Sequence, residues 1–495
     1  MTRLLRVSAV AFLAAVTACT EEAVKPAPHP DQLKYAETSY AVPEAAPLRS
    51  VLKAGPAVYL AEDHELPTIS IQILVRTGTY LDPKGKTGTG DLAGTVMRTG
   101  GTESLSPDEL DDKLEFLAAS LDVDVSLTQG KASLSILSKD LDEGLGLLVD
   151  VLRRPVFRED RFQLAKARML EAMKARNDST ESVEDREFGI LLYGADHTSN
   201  AFVTQATIDA IGREDLAAFH KKYFVPSNFI VAAAGDFRKD ELLAKLEKAF
   251  GDWPGGKPDV PKIAKPSTQP APGVYLFDKP EVNQGRVTLG HIGIELGNPD
   301  LFSVILMNYI LGGGSFTSRL MSKVRSDEGL AYSIFSMAQP GVYYPGSFGI
   351  QFQSKVPTCA YASALCLEVL KKFMAEGVSQ KELDEAKGYY FDSFPQRFAT
   401  KAAIVQTFAN DEYIERPPDF WKTYREKIRK VTVEDVKRVA DTYWHPDQFI
   451  TVGVGPVEAL RKGDGKHPAT LDTAGLGKIE IVPLPDPLTM ERPRK

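Results

Sequence analysis

The fold of this 495-residue chain is decided by a stretch that occurs twice. It first reads R-E-D-L-A-A-F-H-K-K-Y-F-V-P-S-N-F-I-V-A-A-A-G (Arg213 to Gly235) and then V-E-D-V-K-R-V-A-D-T-Y-W-H-P-D-Q-F-I-T-V-G-V-G (Val433 to Gly455). With a constant shift (433 − 213 = 220) and no gap, seven pairs are identical. These pairs are Glu214/Glu434, Asp215/Asp435, Tyr223/Tyr443, Pro226/Pro446, Phe229/Phe449, Ile230/Ile450 and Gly235/Gly455. Such a repeat indicates two related halves.

Shorter matches extend the repeat beyond these stretches. Val58-Tyr59-Leu60 recurs as Val274-Tyr275-Leu276, and Ala165-Lys166 meets Ala386-Lys387 at nearly the same shift. Between the halves, residues 253–273 are dense in Pro, Gly and Lys, which is typical of an interdomain linker. We therefore predict an α+β fold of two homologous α/β-sandwich halves, residues 49–252 and 274–480. Each half is expected to be a mainly antiparallel sheet covered by helices, and residues 481–495 are expected to form a tail.

Periodicity and turn signals place elements in the first half. The predicted strands are Ala57–Leu60, Ile69–Arg76, Asp122–Leu127, Lys131–Leu137 and Phe229–Ala234. The predicted helices are Asp91–Arg98, Pro107–Ser120 with Ser106 as its N-cap, Leu141–Arg153, Arg158–Asn177, Arg213–Tyr223 and Asp240–Ala249.

The first residues have the pattern of an export signal. A short basic start precedes an apolar run, Val7 to Val16, that is too short to span a bilayer as a transmembrane anchor. The run closes with V-T-A-C, which resembles the lipobox of bacterial lipoproteins, so residues 1–18 are predicted to be removed and Cys19 to carry lipid. Thr20 in the next position indicates the outer membrane, facing the periplasm of a Gram-negative cell. Residues 19–48 would then be a tether, and the lipid anchor is the only membrane contact expected.

Bulk composition excludes some classes of partner. A net charge of −8 with interspersed signs argues against nucleic acid. Cys359 and Cys366 fall on a helix that begins near Pro357, about 10 Å apart at the rise of a helix. That separation is beyond the reach of a disulfide, so both cysteines are expected in the core.

The stretch G-G-G-S-F-T-S-R-L-M-S-K-V-R-S-D-E-G-L-A-Y (Gly312 to Tyr332) is the most informative one for function. An apolar helix, Leu301 to Leu311, stops at its glycines, and Ser315 is predicted to cap a second helix that reaches about Glu328. Gly329 would end that helix, and a strand would follow. Arg325 in the last helical turn and Tyr332 after the corner can then aim their polar ends at one place.

Residue chemistry alone predicts no complete active site. No two of the seven histidines lie three to five residues apart, and no cysteine pair has the spacing of metal ligands. Gly313 to Thr317 comes close to a nucleophile elbow but lacks its last glycine, and the same stretch lacks the Lys-Ser/Thr of a phosphate loop.

Three motifs of this sequence resemble those of a known protein family. L-V-R-T-G-T-Y (Leu74 to Tyr80), K-G-K-T-G (Lys84 to Gly88) and G-G-T (Gly100 to Thr102) resemble the insulinase/pitrilysin (inverzincin) metallopeptidases, over nearly the whole mature chain. In that family a helix carries H-x-x-E-H, whose histidines bind zinc and whose glutamate is the general base. A second signature, an Arg and a Tyr seven residues apart, holds the substrate against the zinc. Arg325 and Tyr332 match that signature.

The zinc motif itself is degenerate. Counted from the flanking glycines, H-x-x-E-H falls on D-L-A-G-T, with Asp91, Gly94 and Thr95 at the three functional positions. The third ligand falls at or beside Glu171-Ala172, with Ala172 as the better alignment. Because these residues lack imidazoles and a base, no zinc or other cofactor is expected in this chain.

The resemblance therefore implies the zinc-lacking subunit of a heterodimeric periplasmic zinc metallopeptidase. Arg325 and Tyr332 would act in the zinc site of a homologous partner on a peptide or unfolded protein. The adjacent residues Gly312, Gly313, Gly314 and Ser315 would contact that substrate. Two alternatives stay open: a catalytically inactive peptide-binding or scaffold protein, and a chain active by itself. A purely structural role also stays open, in which Arg325 complements a helix C-terminus, worth about 0.3–1 kcal/mol, and Tyr332 packs in a sheet.

Overall fold

Two six-stranded sheets carry the fold, and their strands follow the same spatial order. The computed structural model describes residues 40–267, 270–314 and 316–493. The first sheet has the order β1-β2-β6-β3-β5-β4 and the second β12-β7-β11-β8-β10-β9. The strands are β1 (Arg49–Val51), β2 (Ala57–Glu62), β3 (Thr68–Val75), β4 (Ser120–Val125), β5 (Gly130–Leu137), β6 (Phe229–Gly235), β7 (Gly273–Asp278), β8 (Gln284–Ile292), β9 (Ala331–Gln339), β10 (Ser347–Lys355), β11 (Ile450–Gly455) and β12 (Ile479–Ile481).

Strand pairing repeats from one sheet to the other. β2 and β6 are parallel, as are β7 and β11, whereas the pairs from β6 to β4 and from β11 to β9 are antiparallel. Ala233 of β6 pairs with Ile71 of β3, and Gly453 of β11 pairs with Val287 of β8. Ala233 and Gly453 thus occupy equivalent places in the two sheets, and they are separated by the shift of the sequence repeat (453 − 233 = 220). The sheets differ at one edge, where β1 is antiparallel to β2 but β12 is parallel to β7. The predicted α+β fold with two homologous halves is confirmed.

Helices cover both sheets. They are α1 (Thr89–Thr99), α2 (Pro107–Phe116), α3 (Leu141–Arg153), α4 (Glu159–Lys174), α5 (Thr180–Tyr193), α6 (Gln205–Ala210), α7 (Arg213–Tyr223), α8 (Lys239–Phe250), α9 (Leu301–Asn308), α10 (Cys359–Glu376), α11 (Gln380–Ser393), α12 (Lys401–Tyr413), α13 (Phe420–Lys430), α14 (Val433–Tyr443) and α15 (Val457–Lys462). Two π-helical segments, Tyr309–Gly313 and Met321–Asp327, follow α9. Cys359 and Cys366 are buried on α10 and unpaired, as expected.

Helix α2 begins where the sequence predicted and ends earlier. Ser106 forms a capping box with Glu109, whose carboxylate accepts from the Ser106 N–H at 2.8 Å. The predicted helix to Ser120 was wrong at its end, because Ala118 has a φ of +48° and Ser120 already belongs to β4. A positive φ is incompatible with a continuing right-handed helix.

Each half contributes one helix to the sheet of the other half. Helix α5, from the first half, packs on β8 and β11, and α12, from the second half, packs on β2 and β6. On α5, Phe188 joins a buried cluster with Phe277, Ile450, Val452 and Val454. On α12, the buried Phe408 lies with its ring centroid 6.4 Å from that of Tyr59. Phe188 and Phe408 are equivalent in the sequence repeat (408 − 188 = 220). The packing of one helix on the sheet of the other half is therefore part of what was duplicated.

Polar contacts fix both exchanged helices. Glu184 on α5 is fully buried and accepts hydrogen bonds from Arg286 (2.6 Å), Thr288 (2.7 Å) and Gln351 (2.9 Å). On α12, the Tyr413 hydroxyl donates to the Thr128 carbonyl at 2.6 Å. These bonds compensate for burying polar groups between the halves.

The segment between the two sheets and the predicted tail both contact the first half. Among the described residues, no helix or strand lies between Phe250 and Gly273. Within this stretch, the Pro261 carbonyl accepts a hydrogen bond from the Tyr80 hydroxyl at 3.0 Å. The predicted tail packs on the first half, where Gln205 N–H donates to the Leu488 carbonyl at 2.9 Å. Residues 42–493 form one compact unit.

The predicted signal segment and Cys19 lie outside the described residues. Within the residues that are described, no helix has the length and apolar character needed to cross a bilayer.

Removing either exchanged aromatic ring should destabilise the whole unit. We expect Phe188→Ala and Phe408→Ala each to lower the free energy of unfolding by about 3–5 kcal/mol, since each leaves a cavity between the halves. Denaturant unfolding monitored by far-UV circular dichroism measures this change. Phe116→Ala is the control, because Phe116 is 89% exposed, and it should change stability by less than about 0.5 kcal/mol. An effect of Phe188→Ala or Phe408→Ala as small as that of the control would contradict the exchange.

Candidate functional site

The glycine-rich stretch joins two widened helical turns. The first π segment closes with a bond from Gly314 N–H to the Tyr309 carbonyl, five residues back, at 2.8 Å. Ser315 lies outside the described residues, and Phe316 to Ser318 form a turn before helical structure resumes at Arg319. The predicted helix therefore starts later than its proposed cap. Because the glycines lie in the closing turn of the π segment, the chain makes a further turn before the next helical segment begins.

The corner after the second π segment forms as predicted. Gly329 has a φ of +64°, a conformation that glycine adopts without strain. Its N–H donates to the Arg325 carbonyl at 3.0 Å, and Leu330 N–H donates to the Val324 carbonyl at 3.0 Å. Strand β9 then begins at Ala331, which makes Tyr332 its second residue.

The structure brings Arg325 and Tyr332 together. The Arg325 guanidinium carbon lies 5.0 Å from the centroid of the Tyr332 ring and 4.7 Å from that of Phe316, so the cation contacts two aromatic rings. Tyr332 is 81% exposed and Phe316 61% exposed, so neither ring packs in the core. Arg325 forms no ion pair with any described residue, and its guanidinium contacts Met321 Sδ at 4.0 Å. These contacts position the guanidinium and leave N–H donors for a ligand.

The three glycines are packed against their own chain. A Cβ on Gly312 would lie 2.5 Å from the Ser336 nitrogen, one on Gly313 2.5 Å from Asn308 Nδ2, and one on Gly314 2.7 Å from the Tyr309 ring. Gly312 and Gly314 are buried and Gly313 is exposed. The glycines thus have a packing role, and Gly313 is the one of the three whose backbone a substrate can reach.

An ion pair that the sequence analysis missed anchors the start of the helix that carries Arg325. Arg319 donates to Glu382 through Nε (2.7 Å) and Nη2 (3.0 Å), and Nη2 also donates to the Gly377 carbonyl (2.8 Å). The hydrogen bond from Arg319, followed by those from Ser379, lowers the pKa of Glu382 to about 2. A capping-box pattern, S-Q-K-E at residues 379–382, was a readable signal for Glu382 but not for its partner on a distant helix.

The degenerate motif lies on α1, and its residues do not fit zinc. Asp91 accepts a hydrogen bond from Thr95, so the two positions that carry histidines in the family bond to each other. Loss of hydration raises the pKa of Asp91, the Thr95 bond opposes this, and Asp124 adds to it. A Cβ on Gly94 would lie 3.0 Å from the nitrogen of Val125 and 3.1 Å from the carbonyl carbon of Asp124. A larger residue at position 94 would therefore press on the backbone of β4.

The position of the third ligand is no better suited to a metal. Ala172 is exposed on α4, and its neighbour Glu171 is paired with Lys174 at 2.6 Å. Within the described part of the chain, no group of three or more His, Cys, Asp or Glu side chains could hold an ion. The corner with Arg325 and Tyr332 thus presents hydrogen-bond donors at the surface. Helix α1, in contrast, is tightly packed at Gly94.

Comparison with known proteins finds similar sequences. A family model described as the peptidase M16 inactive domain matches residues 210–390. The chain is 29% identical over 383 residues to the Helicobacter pylori protein named non-peptidase homolog YmxG, covering 77% of this chain and 87% of that protein.

Solved structures share the fold. One is the peptidase M16 inactive domain from Pseudomonas fluorescens, with a TM-score of 0.74 and 26% identity, covering 82% of this chain and 98% of that chain. Another is the periplasmic protease PqqL from Escherichia coli, with a TM-score of 0.68 and 18% identity, covering 82% of this chain and 45% of that chain.

The duplicated scaffold is the fold of the peptidase M16 (insulinase/pitrilysin-like) structures. The chain is similar to proteins of this family, among them an inactive domain and a non-peptidase homologue. The family resemblance predicted from the sequence is confirmed.

A glycine-to-alanine comparison tests whether the backbone of β4 blocks position 94. Alanine in a helix is usually more stable than glycine by roughly 0.5–1 kcal/mol. We expect Gly146→Ala on α3, where nothing lies within 4 Å of the added Cβ, to gain this amount. Gly94→Ala should show no gain or a loss. Unfolding free energies measure both, and an equal gain at the two positions would contradict tight packing at Gly94.

The Arg319–Glu382 pair should show a characteristic pH dependence. Because the folded-state pKa of Glu382 is lowered, its stabilising effect is present above the ordinary carboxylate pKa and is lost as pH falls towards 2. We expect Glu382→Gln to be less stable than the parent at pH 6, with the difference shrinking on acidification. Hydrogen exchange at pH 6 should also be faster in residues 319–328 of the variant. A stability difference independent of pH would contradict this assignment.

Proposed function

We propose that this chain is the zinc-lacking subunit of a two-chain peptidase and supplies Arg325 and Tyr332 to a site completed by a zinc-bearing partner. The observation that carries the proposal is the free, stacked guanidinium beside an exposed phenol. In the same chain Gly94, at the position of the general base, is enclosed by the backbone of β4. Gly94 has no side chain with which to activate water, so the role we propose for this chain is to bind the peptide.

The chemistry of the two side chains suits a peptide carbonyl. The guanidinium of Arg325 contacts the rings of Phe316 and Tyr332, and the Tyr332 hydroxyl lies on the same corner, so both side chains can donate to one oxygen. Fixed donors that meet developing negative charge stabilise a transition state more than a ground state. Zinc, bound by the partner, would polarise the same carbonyl and activate water. Removing one donor of this kind typically lowers kcat by about 100- to 1000-fold.

The similarity to PqqL supports a homologous partner. This chain matches 45% of the PqqL chain with the same fold, and the proposed second subunit of that fold would correspond to the rest. The partner we propose is a related subunit with an intact H-x-x-E-H. Because the Arg325 corner lies at the edge strand β9, that partner would face this edge.

The setting we propose follows from the first residues. The apolar run and Cys19 favour an exported lipoprotein, in the outer membrane and facing the periplasm of a Gram-negative bacterium. Peptides or unfolded proteins are the proposed substrates, and the lipid on Cys19 is the proposed membrane contact.

A second candidate function is a peptide-binding or scaffold protein without any role in catalysis. It is favoured by the tight packing of Gly94 and by the similarity to a protein named as a non-peptidase homologue. The two candidates differ in one respect: only the first requires Arg325 and Tyr332 for turnover by a partner.

Reconstitution with a zinc-bearing relative tests the choice. We expect the pair of chains to hydrolyse an unfolded protein, and Arg325→Ala or Tyr332→Phe to lower kcat/KM by about 100-fold or more. Matched controls are Arg238→Ala, an exposed arginine on the first half, and Tyr275→Phe, which loses a hydrogen bond to the Ala271 carbonyl. Both controls should retain activity. Unchanged hydrolysis in the Arg325 and Tyr332 variants would leave the scaffold function.

A further inference from the structure

A second polar cavity lies away from the Arg325 corner, between the first sheet and the helix that the second half places on it. Its volume is about 410 Å³. The sheet side is formed by Gln72, Leu74, Gln129 and Lys131, and the other side by residues of α12 together with Arg397 and Arg416. Cavities at the junction of two halves are common binding sites.

Most polar groups around this cavity have no partner in the described protein. The side-chain amides of Gln72, Gln129, Gln406 and Asn410 make no hydrogen bond to a described residue, and Lys131 and Arg397 form no ion pair with one. Arg397 instead stacks on Trp421, with its guanidinium carbon 4.5 Å from the ring centroid. Arg416 is paired with Asp411 at 2.8 Å. Three cations and one carboxylate line the cavity, and Asp124 faces Lys131 from the neighbouring strand, which leaves an excess of one positive charge.

The second sheet shows what fills the corresponding place. In the first sheet Gln72 pairs with Ala232 and Ser133 on the two neighbouring strands. In the second sheet Thr288 pairs with Val452 and Gln351. Because Ala232 and Val452 are equivalent in the repeat (452 − 232 = 220), Thr288 is the counterpart of Gln72. There, the buried Glu184 carboxylate accepts hydrogen bonds from Thr288, Gln351 and Arg286. The second sheet thus has its polar face satisfied by a carboxylate of the same chain.

Helix α12 packs on a different pair of strands from the pair that α5 covers, so it brings no carboxylate like that of Glu184 to the first sheet. Helix α5 lies over β11 and β8, whereas α12 lies over β6 and β2, with fewer contacts to β3. Because β2 is two strands further from β5 than β3 is, the face of β3 and β5 stays open beside α12. Position 404 of α12, which corresponds to Glu184 (184 + 220 = 404), is an isoleucine that borders a different cavity near β2.

We propose that this cavity binds a carboxylate, which takes the place that Glu184 occupies on the second sheet. Lys131 and Arg397 would supply charge, and the amides of Gln72, Gln406 and Asn410 would supply hydrogen bonds. Charge-assisted bonds of this kind give a carboxylate both affinity and orientation. The carboxylate can come from a peptide terminus, from an acidic side chain or from a free small acid, and the chemistry of recognition is the same. The site does not depend on the Arg325 corner.

Binding measurements with defined probes test the proposal and distinguish the sources. The probes are glutarate, a neutral hexapeptide with a free C-terminus, the same hexapeptide amidated, and an amidated hexapeptide with one internal glutamate. We expect isothermal titration calorimetry with the full chain to detect at least one carboxylate probe, with affinity that falls as salt rises. The amidated neutral peptide should not bind. The carboxylate probe that binds most tightly identifies the source.

Two substitutions locate the binding in the cavity. We expect Lys131→Gln and Arg397→Gln each to weaken binding of the carboxylate probe about tenfold or more. Lys381→Gln is the control, since Lys381 is an exposed lysine on α11 whose side chain is 85% exposed. Binding that is equal in the parent and the two cavity variants, equal binding of the amidated neutral peptide, or no binding of any probe at about 10 mM would overturn the proposal.

A designed carboxylate gives a readout that needs no ligand. Thr407 on α12 lines the cavity, so Thr407→Glu should place a carboxylate inside it and Thr407→Gln an uncharged side chain of the same size. We expect the glutamate variant to melt about 1–2 °C above the glutamine variant at neutral pH and to lose binding of the probe. A glutamate variant that melts below the glutamine variant would contradict a cavity built for a carboxylate.

Discussion

The structure depends on the reciprocal burial of one helix from each half on the sheet of the other half. Each sheet has one face covered by its own helices, and its second face would expose apolar strands such as β6 and β11 without the exchanged helix. Phe188 and Phe408, at equivalent positions of the repeat, close these faces. Because neither half completes its core alone, the two sheets are held as one unit, and the corner at β9 and the helix at the degenerate motif are fixed relative to each other.

The duplication makes the differences between the halves informative. The same scaffold carries a helix closed against β4 at Gly94 in the first half and an exposed pair of donors at Arg325 and Tyr332 in the second. Packing distinguishes the first case, since a Cβ at position 94 would lie only 3.0 Å from the backbone nitrogen of Val125. Stacking decides the second, since Phe316 and Tyr332 hold a guanidinium that has no ion pair in the described chain. A similar contrast separates the two sheet faces, one satisfied by Glu184 and the other lined by unpartnered amides.

The parts of this organisation that could be predicted from the sequence are those with a local signal. The repeat gave the two halves, and Gly329 gave the corner, because glycine at a helix end has a physical reason. Helix α5 was missed because its buried face carries Glu184 and Glu187, charges whose partners include the distant residues Arg286 and Arg492. The π turns and the early end of α2 at Ala118 were also beyond prediction, since each depends on packing rather than on residue type. The stacking of Phe316 on Arg325 brings together residues nine positions apart across a turn with no regular period.

The claim that this chain holds half of an active site is tested most directly by the structure of its complex with a zinc-bearing partner and an uncleaved peptide analogue. We expect density for zinc in the partner alone, and the Arg325 guanidinium and Tyr332 hydroxyl within hydrogen-bonding distance of the carbonyl oxygen next to that zinc. A complex in which the partner surrounds the peptide by itself, with Arg325 and Tyr332 turned to solvent, would contradict the account.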